Sequence, residues 1–135
     1  MPDAPSKINF INPAGIAAPT GYSHVAEIRR GRIVYIAGQV ALDAQGNLVG
    51  KGDVEAQADQ VFRNLSTALA AVGCTARDVA KFTVFMRDAK QVASYRKARD
   101  RFVASGTPPA STLVEVSRLF LEDFLIEIEA VAVAP

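Results

Sequence analysis

The chain has 135 residues, with 15 Lys or Arg against 14 Asp or Glu and a formal charge of +1. So balanced a charge gathers neither a phosphate backbone nor an anionic membrane, which argues against a nucleic-acid partner and a membrane partner. No apolar run approaches the roughly 20 residues of a membrane helix, the N-terminus lacks the apolar stretch of a secretory signal, and Cys74 is the only cysteine, so a reducing, cytoplasmic setting is expected.

The length predicts one domain spanning residues 1–135. Residues 1–22 read as an irregular arm, punctuated by Pro13, Gly15, Pro19 and Gly21. Val25–Arg30 alternates loosely, and Ile33–Ala37 is rich in β-branched and aromatic residues. With Gly31 between them, the two segments read as a β-hairpin. A helix is expected over 54–72, because Val54, Ala58, Val61, Phe62, Leu65, Leu69 and Val72 recur on one helical face behind an Asp53 cap. Phe82–Met86 reads as an interior strand.

Gln91–Ala104 reads as a second helix, with Val92, Tyr95, Phe102 and Val103 facing inward. Its basic residues Arg96, Lys97, Arg99 and Arg101, interrupted by Asp100, read as a solvated face. Two strands close the chain. Alternation puts Thr112, Val114 and Val116 on one side of the first, with Ser111, Leu113 and Glu115 on the other. In residues 124–133, Ile126, Ile128, Ala130 and Ala132 oppose Leu125, Glu127, Glu129, Val131 and Val133.

The expected fold is therefore α+β, in the order β-β-α-β-α-β-β, with both helices on the face of Thr112, Val114, Val116, Ile126 and Ile128. The second face, with Leu113, Leu125, Val131 and Val133, is left apolar, and such a patch predicts self-association. Periodicity does not fix the number of subunits.

Chemistry-bearing residues are sparse. Glu127 and Glu129 stand about 7 Å apart on one strand face. A shared, partly dry setting raises a carboxylate's pKa and suits it to acid–base work, whereas pairing with Arg29, Arg30 or Arg118 makes both structural. Tyr22, Ser23 and His24 form a compact polar trio. A lone histidine serves either as a proton carrier or as a structural hydrogen-bonding group, and it rules out a multi-histidine metal site within one chain. No Gly-x-Ser-x-Gly elbow, phosphate loop or dinucleotide fingerprint is present. Cys74 follows a helix C-terminus, where the dipole disfavours a thiolate.

Taken together, Gly21-Tyr22-Ser23, Val34-Tyr-Ile-Ala-Gly-Gln39, Lys81-Phe-Thr-Val-Phe85, Pro109-Ala-Ser-Thr-Leu-Val-Glu-Val116 and Ile126-Glu-Ile-Glu-Ala-Val-Ala132 resemble the RidA (YjgF-type) family over nearly the whole chain. The resemblance implies a chorismate-mutase-like fold, a homotrimer whose sheets line a barrel, and small-molecule clefts between subunits. It also implies hydrolysis of enamines and imines such as 2-aminoacrylate to a keto acid and ammonia, without metal or organic cofactor. By the same resemblance Tyr22 and Glu127 are catalytic, Glu127 holding the attacking water, and the Gly38 backbone faces the ligand. His24, where a glutamine is common, adds a proton donor beside Tyr22.

The family's carboxylate-clamping arginine is missing, because Ser111 occupies its position. A hydroxyl does not replace a planar cation against a carboxylate. Leu113 makes the cleft more apolar, and Arg96 is the candidate to supply a cation from another direction. Two functions remain open on the sequence: a deaminase for an enamine or imine other than 2-aminoacrylate, or a non-catalytic module binding an imino acid, keto acid or similar metabolite. A ribonuclease reading conflicts with the charge balance.

Overall fold

The structure, a computed structural model, describes residues 5–104 and 106–135, so residues 1–4 of the expected arm lie outside the described residues. In chain order the elements are β1 (Ile8–Ile11), β2 (Val25–Ile28), β3 (Arg32–Gln39), α1 (Val54–Ala70), β4 (Val79–Met86), α2 (Val92–Val103), β5 (Ala110–Glu115) and β6 (Ile126–Ala134). Short 3-10 turns precede β4 and α2. The fold is α+β, as the pattern of elements predicts. Among the described residues, no helix is long and apolar enough to cross a membrane.

Two expectations for the N-terminal third are corrected. The arm contains a strand over Ile8–Ile11, ending two residues before Pro13. The predicted hairpin between Val25–Arg30 and Ile33–Ala37 does not form. Instead β2 pairs antiparallel with β1, and β3 leaves for the larger sheet to pair with β6. Gly31 is the reason a turn was legible there, but it serves a close approach. It has φ +102°, and a Cβ would stand 2.5 Å from the Ala134 carbonyl oxygen. Alternation reveals which way side chains point, not which strand lies alongside.

The large sheet runs β3-β6-β4-β5, antiparallel except for β4 and β5. That parallel pair needs a crossover, and α2 supplies it. Both helices pack on the face of Ile126, Ile128, Ala130 and Ala132, all buried. The predicted α1 stripe is buried from Val54 to Leu69, whereas Val72 lies beyond the helix end and is half-buried, and Asp53 Oδ1 accepts from the Ala56 amide at 3.1 Å. Phe62 stacks on Phe102 at 4.7 Å and meets Phe82 edge-on at 5.8 Å, locking α1, α2 and β4 together.

The face assignment of β5 is reversed from expectation. Ser111 and Leu113 stand opposite Phe82 and Val84, two core residues, so they face α2, whereas Thr112 and Val114 face away. The strand is apolar on both sides, so alternation alone leaves the choice open, and a one-residue slip exchanges the faces. The second face is corrected accordingly. Leu113 and Leu125 pack against the main core, and Val133 is buried with Ile8 and Ala80 under the β1–β2 pair. What stays uncovered is Ile33, Tyr35 and Val114, with Tyr35 80% exposed, beside Glu127 and Glu129.

One buried polar side chain fastens the approach to β6. Gln57 is fully buried on α1, donates to the carbonyls of Gly50 (3.2 Å) and Asp123 (2.9 Å), and accepts from the Leu125 amide (2.9 Å). Two turns on, Asn64 donates to the carbonyls of Val40 and Leu42 at 3.0 and 2.9 Å. The segments entering β6 and leaving β3 are thus tied to the same helix. Replacing Gln57 by Ala orphans three backbone groups, so Gln57→Ala is expected to cost about 2–3 kcal/mol. The check is urea unfolding. The midpoint should fall with the slope unchanged, and an unaltered midpoint shows that water substitutes for the amide.

Candidate functional site in two halves

The predicted site residues gather into two groups. The first surrounds a cleft of about 310 Å³ between the Thr20–Tyr22 segment, α2 and β5. Tyr22, Arg96, Ser111 and Leu113 all line it, joined by Tyr95 and Arg99. Buried Ser23 holds Tyr22 in place, its amide donating to the Pro109 carbonyl at 3.0 Å and its hydroxyl to the Pro108 carbonyl at 2.6 Å.

His24 does not line this cleft. Its Nε2 donates to the Ala17 carbonyl at 2.7 Å, since a carbonyl only accepts, and its ring meets Tyr22 edge-on at 5.3 Å. Its contacts therefore brace the Tyr22 ring. Arg96 is exposed at the cleft's edge.

Sequence reasoning missed Tyr95 and Arg99. Tyr95 is 2% exposed, and its hydroxyl has no well-formed hydrogen bond among the described residues. Burial pushes the phenol up to about 12, against the smaller opposing effects of the Arg99 charge and the nearby Ser111 hydroxyl. Arg99, read as part of a solvated face, is only 12% exposed at its side chain. The signal was the spacing Val92, Tyr95, Arg96, Arg99, which places all four on one helical face.

The second group sits on the uncovered face of the sheet. Glu127 stands opposite Phe85 and Glu129 opposite Thr83. Neither carboxylate has an ion pair among the described residues. Arg29 pairs with Glu27, Arg30 donates to the Pro5 carbonyl, and Arg118 donates to the Leu119 and Phe120 carbonyls. Partial burial, reinforced by the Glu129 charge, holds Glu127 above the usual carboxylate range. Gly38 lies against it at the irregularity between Ile36 and Gln39, where a Cβ would stand 2.6 Å from Glu127 Oε2. A neighbouring hollow of about 360 Å³ is bordered by Tyr35, Lys81, Thr83 and Glu129.

The two groups occupy opposite faces of one sheet, because Ser111 and Leu113 share the helix side while Glu127 and Glu129 share the other. Within one chain they do not meet. Among the described residues, no three His, Cys, Asp or Glu side chains cluster as a metal site would require.

Residues 13–134 match the family model described as Endoribonuclease L-PSP. A RutC family protein of Synechocystis is 39% identical over 95% of this chain and 98% of its own length. The chain belongs to the RidA (YjgF-type) family. A 2-iminobutanoate/2-iminopropanoate deaminase of Salmonella typhimurium is 36% identical, covering 82% of this chain and 86% of that protein. Among solved structures, the Rid-family protein YyfB of Yersinia pestis superposes with a TM-score of 0.89 at 36% identity, over 95% of this chain and 99% of the other. A second structural likeness is E. coli TdcF, crystallised with bound serine, with a TM-score of 0.71 at 28% identity over 92% and 94% of the two chains.

Two outcomes follow for Glu127. Because the native state keeps its proton to higher pH than the unfolded chain, stability should fall as pH rises from the ordinary glutamate range through the raised value, and Glu127→Gln should flatten that decline. Denaturant midpoints measured across that window check it. Gly38→Ala should leave the fold intact while pushing the Glu127 carboxylate aside, seen as a changed Glu127 titration in carboxyl-detected NMR. An unchanged titration means that the close approach does not set its environment.

Proposed function

We propose that this RidA-family member hydrolyses a small enamine or imine, other than 2-aminoacrylate, in clefts completed by a second copy of the chain within a homotrimer. The observation that carries the reading is the split site, with Tyr22 and Ser111 on one sheet face and Glu127 with Gly38 on the other. The exposed apolar residues Ile33, Tyr35 and Val114 surround the second group, and such a surface is suited to burial against another copy. The deaminase relative supports the reaction class.

The chemistry needs only the chain's own groups. Water adds to the C=N carbon while Glu127 takes a proton from it, and nitrogen gains a proton. The resulting carbinolamine expels ammonia as the C=O bond forms, with no net change in oxidation state and no redox partner. Partial burial and the Glu129 charge raise the carboxylate's proton affinity, which favours the uptake and return of a proton that this sequence of steps requires. The Tyr22 hydroxyl serves as a hydrogen-bonding partner at the cleft wall.

A second reading, a non-catalytic metabolite sensor, is favoured by one specific departure. Ser111 stands where the family resemblance implies a carboxylate-clamping arginine. A phosphodiester substrate is not favoured, given the formal charge of +1.

The test is ammonia release from a panel of freshly generated imines. Glu127→Gln should reduce turnover by about 100-fold or more, the scale of a lost acid–base group, while keeping fold and assembly. Unchanged turnover removes Glu127 from the mechanism. Ligand binding without ammonia release in the wild type supports the sensor. Sedimentation should report three times the 14.4 kDa chain mass, and a stable monomer removes the composite cleft.

A further inference from the structure

We propose that the free edge of β1 is a docking groove for a single extended, acidic segment of another polypeptide, taken up as an added strand. The groove is separate from both halves of the candidate site and does not depend on the deaminase reading.

The Arg29 amide donates to the Lys7 carbonyl at 2.8 Å, so Lys7 and Arg29 form a hydrogen-bonded pair. Such pairs alternate along an antiparallel ladder. In the same register Asn9–Glu27 and Ile11–Val25 turn their backbone groups toward β2, while Ile8 and Phe10 turn theirs away. On that outer side the Ile8 carbonyl accepts from Ser6 Oγ at 2.8 Å. The amides of Ile8 and Phe10 and the Phe10 carbonyl find no protein partner among the described residues. Ile8 is only 5% exposed, and an unpaired amide in so covered a residue is a donor awaiting an acceptor.

These groups open onto a hollow of about 510 Å³. Ile8, Asn9 and Phe10 all line it, although their side chains alternate between the two faces of the strand, and no β2 residue does. Three consecutive residues bordering one hollow place it along the edge of β1. Its far wall is made by Ala76, Arg77, Gly106, Thr107 and Pro109. That wall decides the occupant. The sheet of a second copy would bring a neighbouring strand along with its edge, and the far wall stands where that strand would lie. The groove therefore suits one strand with no sheet of its own, a tail or linker. β1 has four residues, and at about 3.4 Å per residue it pairs with a segment of roughly three to five.

Charge completes the description. Arg77 is the one charged side chain among the described lining residues. It is exposed, and no ion pair among the described residues uses it. The neighbouring Asp78 is engaged by Lys7 and by the Thr75 amide. A carboxylate arriving opposite Arg77 would meet a guanidinium with its donors unspent. Phe10 and Val103 add apolar surface, so the segment that fits alternates apolar and acidic side chains.

The experiment is NMR on the isotope-labelled full-length protein in its native assembly. The probe is acetyl-Val-Glu-Val-Glu-Val-amide, compared with its Val-Lys-Val-Lys-Val counterpart and with an acidic version N-methylated along its backbone. The acidic peptide should shift the Ile8 and Phe10 amide resonances and slow their hydrogen exchange by about tenfold or more, while the Asn9 amide, already turned to β2, changes little. That alternation is the signature of an added strand, which non-specific adhesion would not give. Arg77→Glu should weaken the acidic peptide by about tenfold or more and make the lysine peptide the preferred ligand. Lys51→Gln, which removes an exposed cation outside the groove, should bind as wild type does.

Four results overturn the inference: Ile8 and Phe10 amides already protected without peptide, no change at those amides on adding the acidic peptide, the N-methylated peptide binding as tightly as its parent, or wild type binding the lysine peptide as tightly as the acidic one.

Discussion

Strand β6 has a neighbour along each edge, β3 on one side and β4 on the other, and both pairings are antiparallel. Its alternating side chains therefore have to satisfy two different environments at once. Ile126, Ile128, Ala130 and Ala132 fill the space under the helices, and that packing fixes which way every other residue points. Glu127 and Glu129 are held on the uncovered side as a consequence of core packing two residues away. No local loop geometry is needed to aim them. The amide of Gln57 completes the constraint by gripping the chain just before β6 starts.

Because β5 is the edge strand beyond β4, the same core also orients Ser111 and Leu113, in the opposite direction. The sheet thus works as a partition. One side presents a wall of hydroxyls and arginines, the other a pair of carboxylates, and only on the proposed reading would a second copy bring the two together.

Much of this was legible in residue order. The stripe Val54, Ala58, Val61, Phe62, Leu65 and Leu69 located α1, and the run Ile126 to Ala132 both located β6 and assigned its faces. Tyr22, Arg96, Ser111 and Leu113 do border a common cleft. What failed has a common physical cause. Pairing partners are a property of the whole chain, so Gly31 suggested a hairpin that the competition of β6 for β3 overrides. Apolar residues on both sides of β5 left its orientation to be decided by contact with β4. Arg99 was hidden among Arg96, Lys97 and Arg101, because charge in a sequence says nothing of cover. Tyr95 at one turn's distance was the available clue.

The fastening of Ser23 carries a mechanical implication. The carbonyls of Pro108 and Pro109 both accept from Ser23, which supplies its hydroxyl and its amide in succession. The anchored point lies next to Tyr22 in the chain and two residues before Ser111 on the far side. These side chains are consequently yoked across a very short lever, insulated from motion elsewhere in the N-terminal segment. The Tyr22–Ser111 wall is therefore the tethered side of the cleft, and the helix carrying Tyr95 and Arg99 is the side without that fastening.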